Sequence, residues 1–398
     1  MAEIDKALPN IKKSTIELPG EDKITEAIAQ QINQEQEAPD NIEIIQTEEG
    51  GAEVSFDPSK AMAEGSENHF ANLAEYLEDD VLGPLGSELK GMYLDYKSSR
   101  KDWEESYTKG LDLLGFKYED RGEPFQGASG ATHPVLAEAV TQFQSLAYKE
   151  LLPASGPVRT QIIGAPSTAK EQQSERVKEF MNYQLMSEMR EYEQEFDQML
   201  FYLPLSGSTF KKVYYDELLG RAVSKFVPAD DLLVPYSATS LDDADSIIHK
   251  INISENDLRK QQVGGFYRDI EVSEASAEDD EIAAKERELE GIRKSDKAPD
   301  MYTLLECHVD LDLEGFEDTN PETGEATGIK LPYIVTIEEG SREVLSIRRN
   351  YEAQDPKKKR IHYFTHFKFL PGLGFYGFGL IHMIGGLSRT ATAALRQL

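Results

Sequence analysis

The first stretch with the look of a reactive site is Gly127-Ala128-Ser129-Gly130, inside a glycine-rich run over residues 115–131. Successive backbone N–H groups in such a run can cradle a phosphate. A nucleotide loop also needs Gly-Lys followed by Ser or Thr, which carry the terminal phosphates and the metal. No Gly-Lys dipeptide occurs in the chain, so a close-packed backbone crossing is expected instead. Gly372-x-Gly374-x-x-Gly377 matches the dinucleotide fingerprint, with a strand expected before it and a helix after it. That chemistry requires an acid about 20 residues on to hold the ribose. No Asp or Glu follows Asp355, and Phe375 and Tyr376 would crowd a pyrophosphate. Asp310-x-Asp312-x-Glu314-Gly315 imitates the start of a calcium loop, but the twelfth position, which needs a bidentate acid, is Pro321.

Asp242-Asp243-Ala244-Asp245 suggests a metal site, yet acids there also cap and solvate a turn before a strand. His133 stands beside an expected helix cap, with no nucleophile or acidic orienter placed by spacing, and reads as a hydrogen-bonded loop histidine. Cys307 is the only cysteine; no intrachain disulfide can form, and its alternating surroundings make it a small buried hydrophobe. No catalytic, cofactor-binding or metal-ligating residue emerges, and no enzyme activity is expected. An acidic-cleft, metal-dependent hydrolase is the alternative that abundant Asp and Glu permit, although no His-Glu-x-x-His spacing supports it.

The charge balance narrows the classes further. The 398 residues include 73 acids against 42 Lys and Arg, a formal net charge of −31. Such a chain disfavours gripping phosphate, but not letting nucleic acid slide past. No apolar run approaches the ~20 residues of a membrane-spanning helix. The start Met1-Ala2-Glu3-Ile4-Asp5 lacks the basic-then-apolar order of a signal peptide, and a cytosol-like compartment is expected.

The elements that must position these residues follow from periodicity. Residues 1–67, rich in Glu, Gln, Asp and Pro with Phe56 their only aromatic, read as a disordered acidic arm. Residues 68–203 read as helical. Phe70, Leu73, Tyr76 and Leu77 predict a helix closed by Gly83-Pro84, and a second helix over 87–114 carries Leu89, Met92, Tyr93, Tyr96, Trp103 and Tyr107. Its aromatics suggest packing on another helix or a neighbouring subunit. Thr132 is expected to cap a helix from Val135 to Leu151, with Pro134 in its first turn. Val177, Met181, Leu185, Met189, Tyr192, Phe196, Met199 and Leu203 step by three and four down one long helix, which Pro204 and Ser206-Gly207-Ser208 should stop.

Residues 204–270 read as a hairpin and strand region, with Thr209–Tyr215 pairing Arg221–Val227. Residues 271–300 form a charged insertion, with Glu281/Lys285 and Glu290/Lys294 at helical spacing on an exposed helix or linker. A β-meander is expected over 301–370, where Leu305, Cys307, Val309, Leu311 and Leu313 alternate with Glu306, His308, Asp310 and Asp312, giving one buried face. Residues 371–398 give a Gly-rich turn and an Ala-rich helix that ends without a cap, so the chain looks cut. From Lys357 onward every charge is Lys or Arg, and Arg389 and Arg396 are the only charges on that last helix. The class is segregated α+β.

Three stretches resemble one family. They are Tyr202-Leu203-Pro204-Leu205-Ser206-Gly207-Ser208-Thr209-Phe210-Lys211-Lys212-Val213-Tyr214-Tyr215-Asp216 running on to Phe226-Val227-Pro228-Ala229-Asp230-Asp231-Leu232, the segment Arg121–Pro134 around Gly122-Glu123-Pro124-Phe125-Gln126-Gly127, and Phe375-Tyr376-Gly377-Phe378-Gly379-Leu380. Together they resemble the portal (head-to-tail connector) proteins of short-tailed bacteriophages, in order from about residue 70 to the end. The resemblance implies a structural, non-enzymatic subunit of a dodecameric ring at one capsid vertex of the virion, assembled in the host cytoplasm. It implies capsid and scaffolding proteins, terminase, and later tail or head-completion proteins as partners. Double-stranded DNA would pass through the channel without being read. Residues 70–370 would correspond to the outer wing and the helix from Leu380 to the start of a channel-lining stem. Arg389 and Arg396 would be candidates for a channel or subunit-interface role, and no cofactor or membrane is implied.

Overall fold

The computed structural model describes residues 42–46, 52–56, 69–116, 131–216, 219–272, 280–292, 301–319 and 325–397. They belong to two units, Met1–Asn68 and His69–Leu398. In the first, β1 (Ile42–Gln46) and β2 (Ala52–Phe56) pair antiparallel, Ile42 opposite Phe56. These two short strands lie within the stretch expected to be a mostly disordered acidic arm. Three isoleucines, a valine and a phenylalanine concentrate β propensity in an otherwise polar arm. The remainder of 1–67 lies outside the described residues.

The second unit is mixed α+β, with eight α-helices and two antiparallel sheets among its described residues. α1 (Asp79–Ser99) carries Leu82, Leu85, Leu89, Tyr93 and Tyr96 on one face. These side chains pack on Leu305, Cys307, Val309, Val335, Ile337 and Ile347 of a five-stranded sheet. That sheet has the order β5-β6-β7-β8-β9, from β5 (Leu232–Leu233), β6 (Ile247–Ser254), β7 (Met301–Leu311), β8 (Leu331–Glu338) and β9 (Val344–Arg349). The helix expected over 70–77 is only a short 3-10 turn at Leu73–Glu75, and α1 runs through Gly83-Pro84. Pro84 sacrifices one helical hydrogen bond, but burying Leu82, Leu85 and Leu89 outweighs it, at about 1.5–3 kcal/mol for each such side chain.

The expected helix over 87–114 bends at Arg100, and α2 (Lys101–Leu111) follows. Arg100 is 7% exposed; its guanidinium donates to the carbonyls of Ala229 (2.9 Å), Leu232 (3.0 Å) and Asp230, and pairs with Glu104 at 2.6 Å. Five fixed donors there satisfy a turn that leads into β5.

α3 (Val135–Leu151) starts after Pro134 without a side-chain cap, so Thr132 does not cap it. The single long helix expected over 172–203 is two. α4 (Thr168–Tyr183) passes through a π-turn at Gln184–Glu188, and α5 (Tyr192–Ser206) resumes, with Pro204 inside its last turn.

β3 (Ser208–Asp216) and β4 (Arg221–Pro228) form the expected hairpin, Thr209 opposite Pro228 and Asp216 opposite Arg221. α6 (Glu255–Val263) follows β6. α7 (Glu281–Glu290) is not an exposed helix: Ile282 is buried among Tyr107, Leu111 and Leu205, and Lys285 pairs with Asp112 (2.8 Å) and Glu288. Lys294, most of the glycine-rich loop and residues 320–324 lie outside the described residues. β10 (Phe364–Lys368) leaves the meander and pairs with β3, giving a three-stranded sheet β10-β3-β4. α8 (Leu380–Gln397) ends the described chain and passes unbroken through Gly385-Gly386. No helix among the described residues is long and apolar enough to cross a membrane.

Candidate functional site

The last helix is seated by a crossing of glycines. Gly207 ends α5 at φ +89°, the left-handed region that favours glycine. Its carbonyl accepts from Phe369 N at 3.0 Å, and Gly377 N donates to Ser208 Oγ at 2.7 Å. A Cβ on Gly379 would overlap the Leu205 carbonyl oxygen and Gly207 N, and one on Gly377 would overlap the Gly207 carbonyl. Gly377, the last glycine of the would-be dinucleotide fingerprint, therefore serves close approach of two backbones, while Gly374 stands open. Beyond it, Ile381, Gly385, Ser388 and Thr392 form the buried face of α8, against α2, α3 and α5. A Cβ on Gly110 would overlap Ile381, so small residues set this helix spacing.

The two arginines of α8 have different surroundings. Arg396 donates from Nε to the Ala131 carbonyl (3.1 Å) and from Nη2 to Thr132 Oγ1 (3.0 Å), tying α8 to the entry of α3. Arg389 is exposed and has no ion-pair partner among the described residues. Met383 and Leu387 on the same helix are 53% and 70% exposed. His133 donates its backbone N–H to Thr392 Oγ1 at 3.1 Å and takes no place in a catalytic constellation.

The densest buried chemistry lies between the two sheets, where periodicity pointed to a solvent face. Lys212 of β3 places Nζ 2.7 and 2.6 Å from the two carboxylate oxygens of Glu306 on β7. His308 Nε2 lies 2.9 Å from Glu306 Oε1. Burial alone would raise the Glu306 pKa, but Lys212 and the His308 hydrogen bond hold it well below the usual carboxylate range. His249 on β6 is pushed down to about 3 by burial and then by Lys212. The expected one-sided burial of β7 is thus corrected: Leu305, Cys307 and Val309 face α1, and Glu306 and His308 are covered by β3 and β10. Space beside His308 amounts to a cavity of about 10 Å³, lined by Leu241, Ile247, Arg360 and Phe364 among others. That suits one water and no substrate. Cys307 is buried and its thiol pushed up by desolvation, which leaves it unreactive.

A second cluster holds α7. Lys250 bridges Asp231 (3.1 Å) and Asp280 (3.0 Å), and Lys97 reaches Asp280 at 3.2 Å. Burial, reinforced by Asp231, pushes Asp230 up to about 7; burial, reinforced by Asp230, does the same to Glu286, which is bonded to Tyr202. The remaining acid clusters are local. Asp243 accepts from Thr239 Oγ1 (2.5 Å) and Ser240 N (2.6 Å), which lower it to about 2 and close a turn. Asp310 pairs with Arg360 at 2.8 Å. Among the described residues no group of three His, Cys, Asp or Glu is placed to hold a metal ion.

Large apolar side chains are exposed together at one place. From Pro157 to Gln198 no residue is buried, and Val177, Phe180, Met181, Tyr183 and Met186 are between 42% and 58% exposed. Arg100 and the Lys212–Glu306 pair escaped sequence reasoning. The usable signal was Lys212 at an interior position of a strand rich in aromatic residues. Comparison of the chain with protein-family models and with curated proteins found no match.

Proposed function

We propose that the chain is a structural subunit of a viral portal ring at a capsid vertex of the virion. Double-stranded DNA would enter and leave through the ring, terminase would dock on it during packaging, and tail proteins would dock afterwards. The single observation that carries this reading is the stretch over 157–198, helical from Thr168, which has no buried residue and turns an apolar face outward. Helices in proteins gain most of their stability by packing an apolar face, so such a face implies a covering surface. The portal-like stretches support the class. Two of them supply the glycines of the crossing that seats α8, and Ser208 and Phe210 beside it. On this reading α8 begins the stem, and Arg389 is the cation free to face DNA or a neighbour. Arg396 is already engaged with Ala131 and Thr132 and would position α8 instead.

Native mass measurement at low micromolar concentration tests the proposal. A single closed oligomer of many copies is expected; a compact monomer at every concentration would remove its support.

A further inference from the structure

We propose that the arm from Pro153 to Glu191 clasps a second copy of this chain, laying the Val177–Phe180–Met181–Tyr183 face of α4 on an acidic surface of that neighbour. The number of copies rests on the ring reading; the contact itself rests on the arm.

Residues of α4 at 171, 174, 175 and 178 line an open groove against residues 155–162 of the same chain, with Asn182 on that same side. That inner face is polar and specifically bonded. Asn182 Oδ1 accepts from Val158 N (2.9 Å), its Nδ2 donates to the Val158 carbonyl (3.2 Å), and Ser174 Oγ donates to Thr160 Oγ1 (2.8 Å). At the helical step of about 100° per residue, Val177, Phe180, Met181 and Tyr183 lie toward the opposite side. The helix is therefore inverted: an amphipathic helix that docked on its own chain for stability would bury the apolar stripe and expose the polar one. Here Val177 is 44% exposed, Phe180 58% and Tyr183 54%, and no residue of α4 is buried. The polar clip fixes the arm's orientation and leaves the apolar face for another molecule.

Charge identifies that molecule. Arg176 and Gln173 share the outer face, Lys170 flanks it with its ammonium bonded to the Ala165 carbonyl (3.2 Å), and Glu179 flanks it beside Tyr183, while Glu171 and Glu175 turn toward the groove. Arg176 is exposed and has no ion-pair partner among the described residues. With Lys170, Arg176 and Glu179 the face carries about one net positive charge, on a chain of net charge −31, so an identical chain repels it less than it would repel an acidic part of the surface. Two cations flanking large apolar side chains make a poor phosphate track, so duplex DNA fits less well. Because the arm and its acidic receiver are different patches, the contact is heterologous, the type that gives a ring when its rotation closes and an open filament when it does not.

Two measurements test this. With Cys307 buried, Phe180→Cys gives one reactive surface thiol for a photo-crosslinker. Irradiation at low micromolar concentration should yield a species of twice the mass, with crosslinked peptides from two copies. The triple variant Val177→Ser, Phe180→Ser, Met181→Ser should weaken association by about a hundredfold or more, with the far-ultraviolet circular dichroism of the chain unchanged, because none of the three contributes to its core. Assembly of the triple variant like the parent chain overturns the arm contact and leaves the ring reading intact. A monomeric parent overturns both, and crosslinking only to added duplex DNA overturns the choice of a second copy.

Discussion

Replacing Lys212 by methionine should cost about 3–5 kcal/mol of stability near pH 8. Lys212 and Glu306 come from different sheets, and their side chains are 12% and 14% exposed. At about 2.7 Å and an effective dielectric near 20 their attraction is about 6 kcal/mol, part of which is offset by the dehydration of the ammonium. Met preserves the length of the stem and leaves Glu306 a buried anion with His308 Nε2 as its remaining side-chain partner at 2.9 Å. Burial, now unopposed by Lys212, raises the folded-state pKa of Glu306 above its unfolded value. A carboxyl raised in this way has its full stability below the unfolded pKa and loses it as pH rises. The gap between parent and variant should therefore be widest at pH 8 and narrow toward pH 5. Urea unfolding followed by far-ultraviolet circular dichroism reads both quantities. Lys212→Met with Glu306→Gln, which removes both charges, should recover most of the loss. A Lys212→Met penalty below about 1 kcal/mol, or a gap unchanged between pH 5 and 8, would refute the electrostatic brace between the sheets.

Two further outcomes follow from packing and charge. Gly379→Ala forces a methyl into the Leu205 carbonyl and Gly207 N and should cost about 1–3 kcal/mol in urea unfolding, whereas Gly374→Ala, at an open position, should lie within about 0.5 kcal/mol of the parent. Glu286→Gln should stabilise the chain by up to about 3 kcal/mol at pH 8 and have little effect at pH 5. Burial and Asp230 push the Glu286 carboxyl up to about 7, so its ionisation opposes folding only as pH climbs from about 4.5 through 7. Equal effects at both pH values would contradict the burial of that charge.

Elements set by local period were legible. The β3–β4 hairpin and the strands β7, β8 and β9 follow directly from alternation and turn residues. Three features were not legible, for separate reasons. The apolar steps from Val177 to Leu203 continue without Pro or Gly through the break at Met189–Glu191, so period cannot see that the first half faces outward and the second half inward. The alternation in β7 separates Leu305 and Cys307 from Glu306 and His308, but cannot say that a second sheet covers the polar side. Arg100 sits in an unremarkable Ser-Arg-Lys run, and its burial is explained by the carbonyls of the β4–β5 turn together with Glu104 and the Tyr376 hydroxyl. Of the two arginines singled out on α8, nothing in their spacing told the engaged Arg396 from the exposed Arg389.

The most direct measurement of the central claim is negative-stain imaging of the purified chain at low micromolar concentration, in parallel with the Val177→Ser, Phe180→Ser, Met181→Ser variant. Rings with a central hole from the parent chain, lost in the variant, are the predicted result. Uniform compact particles of single-chain mass from both would contradict the portal reading.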